Sequence, residues 1–229
     1  MSEPVRNMFS DISDKYDILN DILSMGRHRI WKKDFVKNLN LPSNGKHLDV
    51  ATGTGDIAEK IIEEFGLETQ VTGVDFSENM IKSALKRKNP DYTNLNFRVG
   101  DATNLEFHDN EFNSVSISFG IRNIPELTKA INEMSRVVKS GGILAIMEFG
   151  TPDKPFNFLY KFYSKFIIPF IGKIISGNSF AYSYLPNTIK TFPYNKEFEK
   201  ILLNTGNFSN IKTKKYDFGV VYAYFCQKK

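Results

Sequence analysis

At 229 residues and 41% apolar composition, the chain is long enough for one full-sized α/β domain and too short for two large ones with a linker. The 30 basic and 26 acidic residues leave a net charge of +4, too mild an excess to argue for nucleic acid. One cysteine, Cys226, excludes a disulfide framework and a cysteine metal site, so no metal is expected and a reducing compartment fits.

The first residues, MSEPVRNMFSDISDKYD, lack the basic start and apolar core of a signal peptide. No run reaches the roughly 18 apolar residues of a membrane span, and the expected location is the cytoplasm. Residues 1–45 carry Met8, Ile12, Tyr16, Leu19, Ile22 and Leu23 at three- and four-residue spacing, which predicts amphipathic helices capping a sheet. Arg27, His28, Arg29, Lys32 and Lys33 cluster around Trp31. That cluster reads as a solvated helix face with one buried tryptophan, or as contact with an anionic ligand or surface.

From His47 the pattern is regular: strand 47–51, helix 56–65, strand 70–75, helix 77–88 with Ser77 as N-cap, strand 96–99. Strand 114–119, helix 125–138, a KSGG turn at Lys139 to Gly142 and strand 143–149 continue it. Such alternation predicts an α/β, Rossmann-like, mostly parallel sheet covered on both faces. Past Gly150 the rhythm breaks into an aromatic-rich helical insertion, 151–195, with Pro155 and Pro169. A helix over 195–205, ended by Gly206, leads to strands 210–216 and 220–227, seven strands in all; Gly219 in the link predicts a C-terminal antiparallel hairpin. The expected organisation is a single domain, 1–229: cap 1–45, ligand-binding half 46–150, lid 151–195, and C-terminal helix and hairpin 196–229.

The stretch HLDVATGTGD, His47 to Asp56, reads as strand, glycine turn and helix start, and VTGVD ends the next strand on Asp75. Gly53, Gly55 and Ala58 satisfy G-x-G-x-x-A, so a nicotinamide or flavin site is a contender. Asp49 before the turn and Asp56 at the helix entrance argue against a diphosphate there. A cationic ligand without phosphate, S-adenosylmethionine, suits the turn better. Asp75 would hold its ribose, and Asp101 of Gly100-Asp101-Ala102 would accept from its adenine amine. Each aspartate alone is equally an N-cap or turn residue; four on one edge are harder to assign that way.

LDVATGTGD, GVDFSENM and GDATNLEFHDNEFNSVSISFGIRNI resemble the motifs of class I methyltransferases. YDILNDILSMGRHRIWK, SFGIRN and SYLPNTIKTFP narrow the resemblance to the demethylmenaquinone and ubiquinone C-methyltransferase family, from about Met8 to the last strand. The resemblance implies S-adenosylmethionine as cofactor. It carries cofactor contacts onto Thr54, Asp75, Asp101, Ala102 and Ser118, and close-approach glycines onto Gly53 and Gly55. Asp101 stands where some members carry Asn, which keeps an acceptor and removes an amide donor.

The implied reaction is C-methylation of a prenyl quinol ring, which needs positioning and a group that takes or stabilises the charge of a hydroxyl. Arg122, always a cation, is assigned to the phenolate, and Asn123 donates beside it. For Arg122 the alternative is a surface salt bridge. Tyr16 would hold the other hydroxyl and His28 has the pKa of a base; for both, a helix residue with a satisfied polar tip is the alternative. Phe156, Phe158, Tyr160, Phe162, Tyr163, Phe166 and Phe170, interleaved with Lys161, Lys165 and Lys173, would line a tunnel for the prenyl tail, make peripheral membrane contact, or pack as ordinary lid helices. Demethylmenaquinol is the favoured substrate and the ubiquinone-pathway benzoquinol the second. A nicotinamide oxidoreductase and a noncatalytic quinone-binding protein are the competing functions, and self-association is left open.

Overall fold

A computed structural model describes residues 16–163 and 188–229. Two helices, α1 (Tyr16–Ser24) and α2 (Arg27–Lys37), precede β1 (Lys46–Val50). Then come α3 (Asp56–Phe65), β2 (Gln70–Asp75), α4 (Glu78–Arg87), β3 (Leu95–Val99), β4 (Phe112–Ser118), α5 (Leu127–Val137) and β5 (Val138–Phe149). The remaining described elements are α6 (Phe156–Phe162), α7 (Lys196–Asn204), β6 (Phe208–Tyr216) and β7 (Val221–Lys228).

The seven strands form one sheet in the order β3-β2-β1-β4-β5-β7-β6. All neighbours from β3 to β5 are parallel, and β7 runs antiparallel between β5 and β6. Chain direction reverses its spread at β1, whose partners are β2 and β4, so the crevice for a ligand opens at the carboxyl ends of β1 and β4.

Strand alternation sorts the core onto two faces. Leu144 and Ile146 of β5, with Tyr222 and Tyr224 of β7, meet Ile131 and Met134 of α5 and Phe198 and Leu202 of α7. Ala145 and Met147, with Val221, Ala223 and Phe225, meet Phe35 of α2, Leu39 just past it, and Ile57, Ile61 and Ile62 of α3. Each such fully buried side chain stabilises the fold by about 1.5–3 kcal/mol relative to exposure. Ser77 caps α4 as expected, its Oγ accepting the Met80 N–H at 3.4 Å.

The KSGG segment is not a separate turn. It lies inside β5, where pairing with β4 jumps from Phe112–Val138 to Ser114–Ile143. Gly141 takes φ +77°, and a Cβ on Gly142 would lie 2.6 Å from the Asn113 carbonyl oxygen. Two glycines let the chain leave α5 and enter the ladder through an irregular stretch without breaking the strand.

Helix α2 packs on the same face of the sheet as α3 and is tied to the β6–β7 end by polar contacts. Trp31 Nε1 donates to Asp217 at 2.8 Å, and Arg27 pairs with the same carboxylate. Asp34 accepts from Tyr216 Oη at 2.6 Å and from Lys214 Nζ at 2.7 Å.

Candidate functional site

Parallel pairing brings Val50, Asp75, Val99 and Ser118, the last residues of β1 to β4, to one edge. Between β1 and α3 the backbone turns through three positive φ values, 52° at Ala51, 58° at Gly53 and 86° at Gly55. Phe119, just past β4, has φ 56°, so both strands flanking the crevice end on a strained non-glycine residue. A Cβ on Gly53 would face open space, whereas one on Gly55 would lie 2.6 Å from the Phe97 ring. Gly55 therefore serves packing, and Gly53 leaves the turn's outer side clear for a ligand.

Asp75 ties this turn down. One carboxylate oxygen accepts the Gly53 N–H at 2.9 Å and the other the Ser77 N–H at 2.9 Å. Burial pushes its carboxyl above the ordinary range, and these backbone bonds pull it back.

Beneath the turn, Asp49 is fully buried on the α2–α3 face. Its oxygens accept from Thr52 Oγ1 and Ser116 Oγ, both at 2.7 Å. Ser116 Oγ also lies 2.9 Å from His47 Nε2, and His47 Nδ1 lies 2.6 Å from Ser114 Oγ. Because the Ser116 proton goes to Asp49, Nε2 must be the donor and Nδ1 the acceptor from Ser114. Desolvation pushes Asp49 up to about 6 and His47 down to about 3.

Asp56 is not a bare charge at the helix entrance, which removes it from the case against a diphosphate. Lys32 Nζ lies at 2.7 Å, Lys60 Nζ at 3.0 Å and Arg87 Nη2 at 3.6 Å. Lys32 and Lys60 hold its carboxyl well below the usual range against a desolvation that raises it. Arg87 also donates to the buried Thr54 Oγ1 at 3.3 Å.

Asp101 folds into an Asx turn, Oδ1 accepting the Thr103 N–H at 2.8 Å and the Thr103 hydroxyl at 2.9 Å. Ala102 packs half-buried against the core, and Ser118 closes β4 opposite Met147.

Arg122 and Asn123 lie in a short 3-10 turn, Ile121–Asn123, just past β4. The Arg122 side chain is only 5% exposed and meets the 1%-exposed Glu148 of β5, Nη1 to Oε1, at 2.8 Å. The salt bridge anticipated as the alternative for Arg122 thus exists, but it is buried. Nη1 also donates to the Phe119 carbonyl, and the guanidinium lies 5.4 Å over the Phe149 ring. Asn123 is buried, its N–H on the Gly120 carbonyl at 3.0 Å.

Tyr16 opens α1, and its side chain lies outside the described residues. So do Phe166, Phe170, Lys165, Lys173 and the SYLPN part of the last family motif. His28 is buried in α2 with Nδ1 2.8 Å from Ser24 Oγ. Ser24 spends its proton on the Asn20 carbonyl at 2.6 Å, so Nδ1 donates and Nε2 keeps the lone pair. Burial first, then Lys32, lowers the His28 pKa, so the ring is neutral at pH 7. It belongs to the Lys32–Asp56 neighbourhood rather than to the Arg122–Glu148 pair.

Glu148, His47, Ser114 and Ser116 were not singled out from sequence. Their signals were present: one acid near the end of the apolar run ILAIMEF, and serines at period two in NSVSIS opposite HLD.

A sheet with its switch point at β1, an open glycine turn and a carboxylate tied to that turn make a Rossmann-like nucleoside site, and a match to a methyltransferase family makes the chain an S-adenosylmethionine-dependent methyltransferase of class I. The profile of the ubiE/COQ5 methyltransferase family matches residues 1–228, and the chain belongs to that family. It is 42% identical over 219 residues to the demethylmenaquinone methyltransferase of Staphylococcus saprophyticus subsp. saprophyticus, covering 95% of this chain and 93% of that one. It is also 42% identical over 225 residues to the ubiquinone/menaquinone biosynthesis C-methyltransferase UbiE of Rickettsia bellii, covering 95% and 89%. Among solved structures, a possible histamine N-methyltransferase from Thermotoga maritima superposes with TM-score 0.65 at 19% identity, covering 97% of this chain and 99% of that one. A putative methyltransferase complexed with the Haloferax volcanii Trm112 activator gives TM-score 0.66 at 14% identity over 96% and 98%. These two likenesses bear on the fold alone.

Proposed function

We propose that the chain, as one methyltransferase unit over residues 1–229, moves a methyl group from S-adenosylmethionine to a ring carbon of a demethylated prenyl quinol. Demethylmenaquinol is the substrate put first, and the benzoquinol of the ubiquinone pathway second. The observation that carries the methyltransferase is the β1 turn, open at Gly53 and tied by Asp75. The relatives' names support a quinol, and the naphthoquinol is put first because the menaquinone step is in the names of both the Staphylococcus and the Rickettsia proteins, the ubiquinone step in the second alone.

When bound, the cofactor supplies an electrophilic methyl on a sulfonium. Gly53, Thr54 and Gly55 form its cradle, and Asp75 offers its remaining lone pairs to ribose hydroxyls. Asp101, with Oδ2 unpartnered among the described residues, and Ala102 flank the adenine, while Ser118 borders the crevice. Asp49 contributes through its negative charge below the turn and by orienting Thr52, because hydroxyl donors already satisfy both oxygens. Arg122 and Asn123 face the quinol oxygen where charge develops, and Tyr16 is assigned the other hydroxyl, whereas His28, set among Asp21, Lys32 and Asp56, is apart from the Arg122 turn.

The protein works in the cytoplasm, in peripheral contact with the membrane that stores its substrate. Among the described residues no helix is long and apolar enough to cross a membrane. Ile18, Ile22, Met25, Ile30, Phe158 and Phe218 are exposed, beside the exposed Arg29 and Lys33. The test is incubation of purified protein with S-adenosylmethionine and each reduced quinone in lipid vesicles, read by mass spectrometry. Gain of one methyl on demethylmenaquinol, faster than on the benzoquinol, is expected; methylation of neither removes the proposal.

A further inference from the structure

Methylation of a quinol ring needs an acceptor for a hydroxyl proton, and the residues assigned above do not supply one at the Arg122 turn. Arg122 is a permanent cation, Asn123 does not titrate, and His28 sits among Asp21, Lys32 and Asp56. Glu148 does stand at that turn. Its Oε1 is engaged by Arg122 Nη1 and by the Phe149 N–H, both at 2.8 Å. Its Oε2 has, among the described residues, only the Arg122 backbone N–H, at 3.4 Å.

The groups facing this carboxylate come from three elements. Arg122 comes from the 3-10 turn, Tyr222 lies directly opposite in β7, and Tyr224 follows two residues along. Tyr160 of α6 stands near Arg122. Burial raises all three phenols, Tyr160 to about 12, so they stay protonated and Arg122 is the cation that Glu148 faces among the described residues. Two buried polar atoms here have no partner among the described residues, Arg122 Nε and Tyr222 Oη. Burying such an atom without a partner is unfavourable, and use of the group by a ligand or a catalytic step is one reason a fold keeps it.

We propose that Glu148 is the proton acceptor of the quinol methylation, and that Arg122 exchanges its carboxylate partner for the quinol oxygen through Nε. The proposal rests on the Arg122 assignment under Proposed function. The hydroxyl O–H bond breaks, its proton passes to Oε2 directly or through one water, and the electron pair stays on oxygen and spreads to the ring carbon. That carbon bonds to the methyl carbon as the methyl–sulfur bond breaks, its electron pair remaining on sulfur. The ring C–H proton is then lost to solvent, and Glu148 returns its proton to the oxygen. One proton is released per methyl moved, balancing the lost sulfonium charge, and the carboxylate is restored. Until the ring proton leaves, the proton and the methyl move only within the pocket, so its net charge is unchanged through the methyl transfer, which matters where water does not screen it. Burial, which lifts the Glu148 carboxyl, narrows its gap to a phenol and so supports the transfer.

Glu148→Gln keeps the side chain's volume and removes the acceptor; Glu148→Asp restores a carboxylate. Thermal melting and S-adenosylmethionine titration establish that each variant folds and loads. The direct readout is binding of 4-cyano-1-naphthol at a pH where it is neutral in solution, followed by its naphtholate absorbance and by calorimetry in two buffers of different ionisation enthalpy. Wild type is expected to bind it ionised with no proton passed to buffer, whereas Glu148→Gln ionises it only with release of about one proton. Turnover of Glu148→Gln is expected to fall about 10²–10⁴-fold at unchanged cofactor affinity and to lose the acid limb of its pH profile, with partial recovery in Glu148→Asp. Proton release by wild type, or Glu148→Gln turnover within about threefold of wild type, overturns the proposal. If Arg122→Gln turns over normally the Arg122 assignment fails; if only Glu148→Gln does, Glu148 alone fails.

Discussion

The Asp75 carboxylate fixes the Gly53 and Ser77 N–H groups, and the proposed function gives it a second task, holding the cofactor. Asp75→Ala is expected to weaken S-adenosylmethionine binding by about 1–3 kcal/mol, measured by isothermal titration; unchanged affinity removes Asp75 from the site. Arg122→Ala should lower kcat by a larger factor than it raises the cofactor Kd if, as proposed, Arg122 acts where charge develops on the quinol. Equal losses in both would place its effect in folding. The place of Asp75 at the end of β2, beside the glycine turn, was legible from sequence because the apolar run VTGV ends on it. Glu148 was not, because an acid near the end of an apolar strand acquires meaning only from its partner, and Arg122 is 26 residues away.

At the level of elements, α2 links the glycine turn to the far edge of the sheet: Lys32 reaches Asp56 at the start of α3, and Trp31 and Asp34 reach the β6–β7 end. Lys32→Met leaves the Asp56 carboxylate with Lys60 and Arg87 only. It should destabilise the protein by about 1–3 kcal/mol in urea melts, with much of the loss recovered by adding Asp56→Asn. Additive effects of the two substitutions would show that the pair is not coupled. The basic cluster around Trp31 could be read in sequence as either a solvated face or a binding face. The fold divides it, with Lys32 and His28 buried and Arg29 and Lys33 outside. In the same way, the irregular entry into β5 was invisible in KSGG, because a turn and a bulge use the same glycines and only the register with β4 separates them.

For the whole molecule, the buried ladder from His47 to Asp49 gives stability an unusual pH dependence. Asp49 titrates near 6 in the fold against 3.8 ordinarily, so its contribution is present below about pH 4 and is lost as pH rises through about 6. His47 titrates near 3 against 6.5, so its contribution is present above about pH 6.5 and is lost as pH falls through about 3. Between pH 4 and 6 the two slopes oppose. Asp49→Asn removes one of them, and its melting temperature should climb more steeply over that interval than the wild type's, whatever its absolute stability. A parallel pair of profiles would mean that Asp49 is ionised in the fold at pH 4.

The sequence by itself determined the alternation of strands and helices, the glycine turn, the acids at the strand ends and the place of Arg122. These are local matters of hydrophobic period, turn chemistry and spacing, written in neighbouring residues. Only the tertiary structure decided which charges are bare and which are paired. Asp56 is neutralised by α2 and α4, Arg122 is held by a buried glutamate, and Asp49 and His47 share one hydrogen-bonded ladder. Ionisation and electrostatic strength depend on what lies within a few ångströms through space and on how much water is excluded, and neither quantity is carried by the order of residues along the chain.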